Sequence, residues 1–122
     1  RAKVDAFVYE EGESKEARVI DFKTGRYDGN QESHREQCEL YGAVALSRYP
    51  ELERITTEMW YLDHGKIDRY IYTPKTIEIK QKRIHARAVA MTTAEEFPAK
   101  PSTFGCRWCY FGKQNMCRES AV

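Results

Sequence analysis

Two short stretches constrain this chain before anything else does: AKVDAFVY, residues 2–9, and ARVIDFK, residues 17–23, each alternating apolar and polar side chains across the polar tip EEGESKE. Alternation with period two marks a half-buried strand, and two such runs around a short polar loop read as a β-hairpin. With the loop symmetric about Glu13, paired positions sum to 26, which sets Asp5 opposite Asp21, Phe7 opposite Val19 and Tyr9 opposite Ala17. The same period puts Asp21 and Lys23 on one face with Val19, and Ile20 and Phe22 on the other. Two carboxylates then face each other with Cβ atoms about 5 Å apart. Their face also holds Phe7, Tyr9 and Val19, an apolar setting in which like charges are costly. A cation between them removes the conflict. The plainer arrangement is a solvated sheet face on which Asp21 and Lys23 simply pair.

Opposed carboxylates with a lysine two positions after one of them suit metal-dependent phosphodiester hydrolysis. Hard oxygen ligands hold Mg2+ or Mn2+, ions that keep several waters and accept phosphate oxygens as further ligands. Asp5 and Asp21 supply those oxygens, the backbone carbonyl of Phe22 is a third candidate ligand, and Lys23 is placed to stabilise developing negative charge or orient a metal-activated water.

Further along, TGRYDGNQES is a turn and loop, with Asn30 or Ser33 as the cap of a helix over SHREQCELYGAVALSRYP that Pro50 ends. Its stripe is Gln37, Leu40, Tyr41, Val44 and Arg48. RITTEMWYL and KIDRYIYT form a second hairpin across Asp63-His64-Gly65. Its aromatic residues, Trp60, Tyr61, Tyr70 and Tyr72, read as core. From residue 75 to about 92 the pattern is mostly helical, with Gln81, Ile84, Ala88 and Met91 on one stripe, although TIEIK alternates like a strand. The order is strand, strand, helix, strand, strand, helix and an irregular cysteine-rich tail, a mixed α/β arrangement.

Charge excludes little. Twenty basic residues against 19 acidic give no global field that advertises a nucleic-acid partner. KQKRIHAR gathers Lys80, Lys82, Arg83 and Arg87 within eight positions, either the solvated face of a helix or a set of DNA contacts. No apolar run approaches the roughly 20 residues of a membrane span and no secretory leader is visible, so an intracellular site, cytoplasmic or nucleoid-associated, is expected. Three of the four cysteines, Cys106, Cys109 and Cys117, fall in CRWCYFGKQNMC. That spacing fits a metal or iron–sulfur site better than a disulfide framework, and zinc and 4Fe-4S remain equally open on spacing alone. Cys38, on the first helix, reads as a small buried residue. Trp108 and Tyr110, inside the cysteine segment, are candidates for stacking on a base.

Taken in order, these motifs resemble the PD-(D/E)XK nuclease superfamily, and within it the RecB-like nucleases. AKVDAFVY is similar to the strand with the first metal aspartate, VIDFKTG to the D-x-K strand, QCELYGAVAL to the Q-x-x-x-Y helix, and FPAKPSTFGCRWCYFGKQNMC to the proline-then-cysteine ending of cluster-bearing, CRISPR-associated members. The resemblance implies a restriction-endonuclease-like mixed central sheet flanked by helices, with a nuclease core over residues 1–97 and a cysteine tail over 98–122 packed on the same domain. It implies Asp5 and Asp21 as metal ligands, Lys23 as the catalytic lysine, and Gln37 and Tyr41 as active-site residues that meet DNA, with His34 a further candidate contact. It implies Cys106, Cys109 and Cys117 as ligands of a 4Fe-4S cluster, with Zn2+ the alternative. The expected activity is a Mg2+- or Mn2+-dependent deoxyribonuclease, an exonuclease of recombination, repair or replication, acting on single strands or duplex ends with a helicase or recombination partner. The alternative is a catalytically silent DNA-binding module of the same fold. Many RecB-like members carry a histidine metal ligand on a helix upstream of the first aspartate, and cluster-bearing members a fourth cysteine there too, so a chain entering its first strand directly from Arg1 is expected to be a fragment lacking an N-terminal helix.

Overall fold

The computed structural model describes residues 3–9, 12 and 14–122; Arg1 and Glu13, the expected centre of the first hairpin loop, lie outside the described residues. Strands β1 (Ala6–Tyr9), β2 (Glu16–Lys23), β3 (Arg54–Tyr61) and β4 (Lys66–Tyr72) form one mixed sheet in the order β1-β2-β3-β4. The hairpins β1/β2 and β3/β4 are antiparallel, and β2 runs parallel to β3 through helix α1 (Gln31–Arg48). Helix α2 (Pro74–Thr93) follows β4. This is the mixed α/β sheet with flanking helices that the resemblance implies. The first hairpin pairs Ala6 with Ile20 and Phe7 with Val19, the register that summing to 26 demands. A one-residue slip would exchange the two faces of β2, turning Ala17, Val19 and Asp21 away from α1 and Ile20 and Phe22 toward it.

Burial corrects the stripe expected on α1. The helix lays Cys38, Tyr41, Gly42, Ala45 and Leu46 against the sheet, whereas Leu40 and Val44 are exposed and border a groove toward Gln81, Ile84 and Ala88 of α2. The reason is close approach. A Cβ built on Gly42 would stand 2.7 Å from the Tyr72 ring, so small side chains meet β4 and larger ones are displaced to the flank. The helix begins at Gln31, and Asn30 does not cap it: with φ −108° and ψ −7° it turns its amide back to the Arg26 carbonyl. Ser33 lies inside the first turn and donates to the Asn30 carbonyl.

The strand-like TIEIK is helical. Pro74 occupies the first helical position, where its missing N–H costs nothing. Thr73 and Thr76 exchange N–H···Oγ1 bonds of 3.2 and 2.8 Å, a reciprocal cap that fixes the helix start one residue earlier than the alternation suggests. Ile77 is the buried residue of α2, Ile84 packs at the core edge, and Met91 is exposed. Polar contacts hold the helix to α1: Glu39, itself buried, accepts Lys80 at 2.6 Å and Arg83 at 2.5 Å, and Gln81 donates to the Ala43 carbonyl and the Ser47 hydroxyl.

Residues Arg1–Val89 and Ala90–Val122 form two compact units. In the second, the expected irregular tail carries two short helices, α3 (Thr103–Trp108) and α4 (Tyr110–Lys113), the first capped by the Ser102 hydroxyl, which accepts the Gly105 N–H at 3.0 Å. Among the described residues no helix is long and apolar enough to cross a membrane.

Candidate active site

The sheet and α1 bring four of the singled-out residues into one hydrogen-bonded chain. Asp21 and Lys23 share the β2 face that α1 covers, and Lys23 donates to Asp21 Oδ2 at 2.7 Å. Tyr41 donates to Asp21 Oδ1 at 2.9 Å, and Lys23 also donates to Gln37 Oε1 at 2.9 Å. Gln37 Nε2 closes the circuit by donating to the Tyr41 hydroxyl. Gln37 and Tyr41 stand one turn apart on α1, so a single helix face meets both ends of the Asp21–Lys23 pair. Asp21 is 6% exposed. A carboxylate so buried stays charged only with partners, and here both oxygens have one. Burial and the Asp21 carboxylate push the Tyr41 phenol up to about 12, so it remains a donor throughout the neutral range.

Asp5 precedes Ala6, the partner of Ile20, and so comes level with Asp21. It is exposed, and its Oδ2 accepts the Phe22 N–H at 2.8 Å. The Phe22 side chain lies on the other sheet face, edge-on to Trp60 at 5.8 Å. Two carboxylates and a main-chain carbonyl are a hard-oxygen set. Among the described residues no three His, Cys, Asp or Glu side chains are grouped to hold a metal ion.

Beyond Lys23 the chain turns at Gly25, where φ is +86°, a conformation glycine adopts without strain. The Gly25 N–H donates to Asp63 at 2.6 Å and its carbonyl meets His64 Nε2 at 2.8 Å, tying the turn after β2 to the turn of the second hairpin. Tyr27 completes the tie. It donates to Asp68 at 3.1 Å, stands edge-on to Tyr61 at 4.7 Å and lies under the Lys66 ammonium. His34 packs on the same group, its Nδ1 2.8 Å from the Tyr61 hydroxyl. Burial, then the nearby Lys23 charge, lowers the His34 imidazole below its ordinary value. Tyr61, read from the sequence as core, is therefore both core and a polar neighbour of this site. Its signal was its register: it is the β3 partner of Lys23.

The basic run on α2 does not present four free charges. Lys80 and Arg83 bind Glu39, Lys82 pairs with Glu78 at 2.9 Å, and Arg87 lies 3.9 Å from Glu36. Cys38 is wholly buried in the core, and burial pushes its thiol up to about 11. In the second unit, Cys106, Cys109 and Cys117 are free thiols lining one cavity of about 290 Å3 with Pro101 and Glu119. Backbone hydrogen bonds from Ala121 and Ser102 lower the Cys106 thiol. Trp108 and Tyr110 are exposed, the former with the Lys113 ammonium 5.2 Å from its ring centre.

The family model described as the PD-(D/E)XK nuclease superfamily matches residues 1–118. No curated protein matches. Among solved structures, "Crystal structure of SSO0001" is similar at 20% identity with a TM-score of 0.44; it covers 98% of this chain and 50% of that one, so the chain spans half of that protein's length.

Proposed function

Because the chain belongs to the PD-(D/E)XK nuclease superfamily, whose members generally use divalent metals, we propose that it is a Mg2+- or Mn2+-dependent deoxyribonuclease that hydrolyses phosphodiester bonds at the Asp21–Lys23 strand. The observation that carries this reading is the circuit through Asp21, Lys23, Gln37 and Tyr41, with the Asp5 carboxylate level with Asp21. A buried carboxylate with a half-buried ammonium adds little to stability relative to an apolar pair of the same size, so the fold alone gives little reason for this one.

Asp5, Asp21 and the Phe22 carbonyl would hold the ion. Bound there, it would supply charge neutralisation at the phosphate and would position and partly acidify the water that attacks it. The chain's own residues do the rest. Tyr41 and Lys23 hold the Asp21 carboxylate in one orientation, and Gln37 fixes the Lys23 ammonium beside it. Lys23, 21% exposed, faces outward enough to meet a phosphate oxygen and to stabilise the extra charge of the transition state. His34 is a further DNA contact in this reading, and an exonuclease acting at DNA ends in recombination, repair or replication is its working form. Cys106, Cys109 and Cys117 would hold a 4Fe-4S cluster, with Zn2+ the alternative, and order a unit that has little core of its own; the three free thiols line one cavity but are not drawn together as a ligand set among the described residues, so their spacing in the sequence carries this part of the reading.

The test is cleavage of end-labelled single- and double-stranded DNA by the full-length protein in Mg2+ or Mn2+ against EDTA, beside Lys23→Ala. Metal-dependent cleavage lost in the variant is expected. DNA binding with no cleavage under any metal would replace the enzyme with a silent DNA-binding relative.

A further inference from the structure

Three rungs join α1 to the ends of β2 and β3: Tyr41 to Asp21, Gln37 to Lys23, and His34 to Tyr61. The first two involve the proposed catalytic pair. The third is chemically of the same kind, because Tyr61 is the lateral partner of Lys23 on β3 and His34 lies one turn before Gln37 on the same helix face. We propose that His34 donates a hydrogen bond from Nε2 to a phosphate of the DNA strand next to Lys23, and that Tyr61 is the positioning residue that fixes the imidazole for it. This rests on the nuclease reading.

The direction of the His34–Tyr61 bond carries the argument. Tyr61 is 2% exposed, and among the described residues His34 is the hydrogen-bond partner of its hydroxyl. A buried phenolic hydrogen needs an acceptor, and Nδ1 is the one within reach. The phenol keeps that hydrogen, since burial and Asp68 push its ionisation up to about 12. An imidazole that accepts at Nδ1 carries its own proton on Nε2. His34 is half-buried, and Nε2 has no partner among the described residues, which leaves a donor of fixed direction on Tyr61, the strand neighbour of Lys23. Neutral donor and cation together suit an anionic oxygen. Tyr61 cannot swing away: Tyr27 stands edge-on to its ring, and Tyr27 is itself held by Asp68. The hydroxyl is therefore the element to remove, since phenylalanine preserves the ring contact.

The experiment uses the full-length protein as wild type, Tyr61→Phe, His34→Ala and the double variant. Metal-dependent cleavage should show a rise in KM of roughly tenfold for His34→Ala and a smaller rise for Tyr61→Phe, with kcat changed less, the size expected for loss of one hydrogen bond to a charged group. Tyr61→Phe should add nothing in the His34→Ala background, because it acts through the histidine. In parallel, 15N spectra of labelled histidine are recorded with a single-stranded oligonucleotide in EDTA. The Nε2–H tautomer and a shift of the Nε2 resonance on adding DNA are expected in wild type, and a loss of tautomer preference in Tyr61→Phe. Wild-type cleavage with additive effects of the two substitutions, or with an unshifted His34 resonance, overturns the inference and leaves the nuclease reading standing. A shifted resonance in a wild type that never cleaves does the opposite.

Discussion

At the scale of single residues, the proposed site is a competition for one carboxylate. Asp21 is buried, and Tyr41 and Lys23 each occupy one of its oxygens. Tyr41→Phe should leave the fold in place, because the ring stays, yet free Asp21 to rotate. Its kcat should fall about tenfold to a hundredfold, against a loss on the order of a thousandfold for Lys23→Ala, which removes charge at the transition state itself. Circular dichroism should show both variants folded; an equal loss in the two would mean that Tyr41 does more than orient. The register that brings Asp5 level with Asp21 was legible from strand alternation and loop symmetry alone, and so was the shared face of Asp21 and Lys23. The link from Gln37 to Lys23 was not, because no local pattern says which strand a helix face will meet.

At the scale of elements, the two helices are held by different means. Helix α1 comes so close to β4 that Gly42 has no room for a side chain, and the Tyr72 ring it would meet is buried. Gly42→Val should therefore cost about 3 kcal/mol, the upper end for overpacking, read as a shift of the urea midpoint. An unchanged midpoint would mean that Tyr72 can move aside. Helix α2 is attached by Ile77 and by the Glu39 carboxylate between Lys80 and Arg83. Both cations are partly exposed and can be rehydrated, so Glu39→Ala should cost only about 1–2 kcal/mol globally. Its local effect should be larger: amide exchange in α2 should speed up while β2 and β3 stay protected. The sequence showed both helices but misplaced the buried stripe of α1, since periodicity marks apolar residues and here the close approach of Gly42 to Tyr72 rotated Leu40 and Val44 out of the contact face. It also showed α2 as basic without showing that Glu39, one helix away, takes two of its charges.

At the scale of the whole molecule, the sheet has two unlike faces. One carries the site and the core under α1. The other carries Glu58, 1% exposed, between Trp60 Nε1 at 2.7 Å, Arg69 Nε at 2.8 Å and Arg18 Nε at 3.6 Å. Burial works against its charge, but the hydrogen bonds from Trp60 and Arg69 and the charges of Arg69 and Arg18 outweigh it and hold the carboxyl below its ordinary value. A depressed folded-state value gives stability that is present above the unfolded carboxyl range and lost as pH falls through the folded value. Unfolding free energy should thus be level near neutral pH and decline in acid, and Glu58→Gln should flatten part of that decline; an unchanged acid limb would assign it to other carboxylates. In the second unit, iron, sulfide and zinc analysis of protein purified without oxygen tests the cysteine reading. Bound metal lost in Cys109→Ala is the expected result, and a metal-free wild type would reduce the three thiols to lining residues.

The sequence by itself determined the order and type of the main elements, the register of the first hairpin and the family, because alternation, turn residues and short motifs act within a few residues of one another. Membership follows from motifs in order, and order survives without coordinates. Tertiary structure alone decided which side chains meet. It set the core residue Tyr61 beside Lys23, put His34 on its hydroxyl, and paired Lys80 and Arg83 of α2 with Glu39. Those contacts join residues up to 44 positions apart. They depend on how closely a helix can approach a sheet, which is a matter of side-chain volume that no periodicity records.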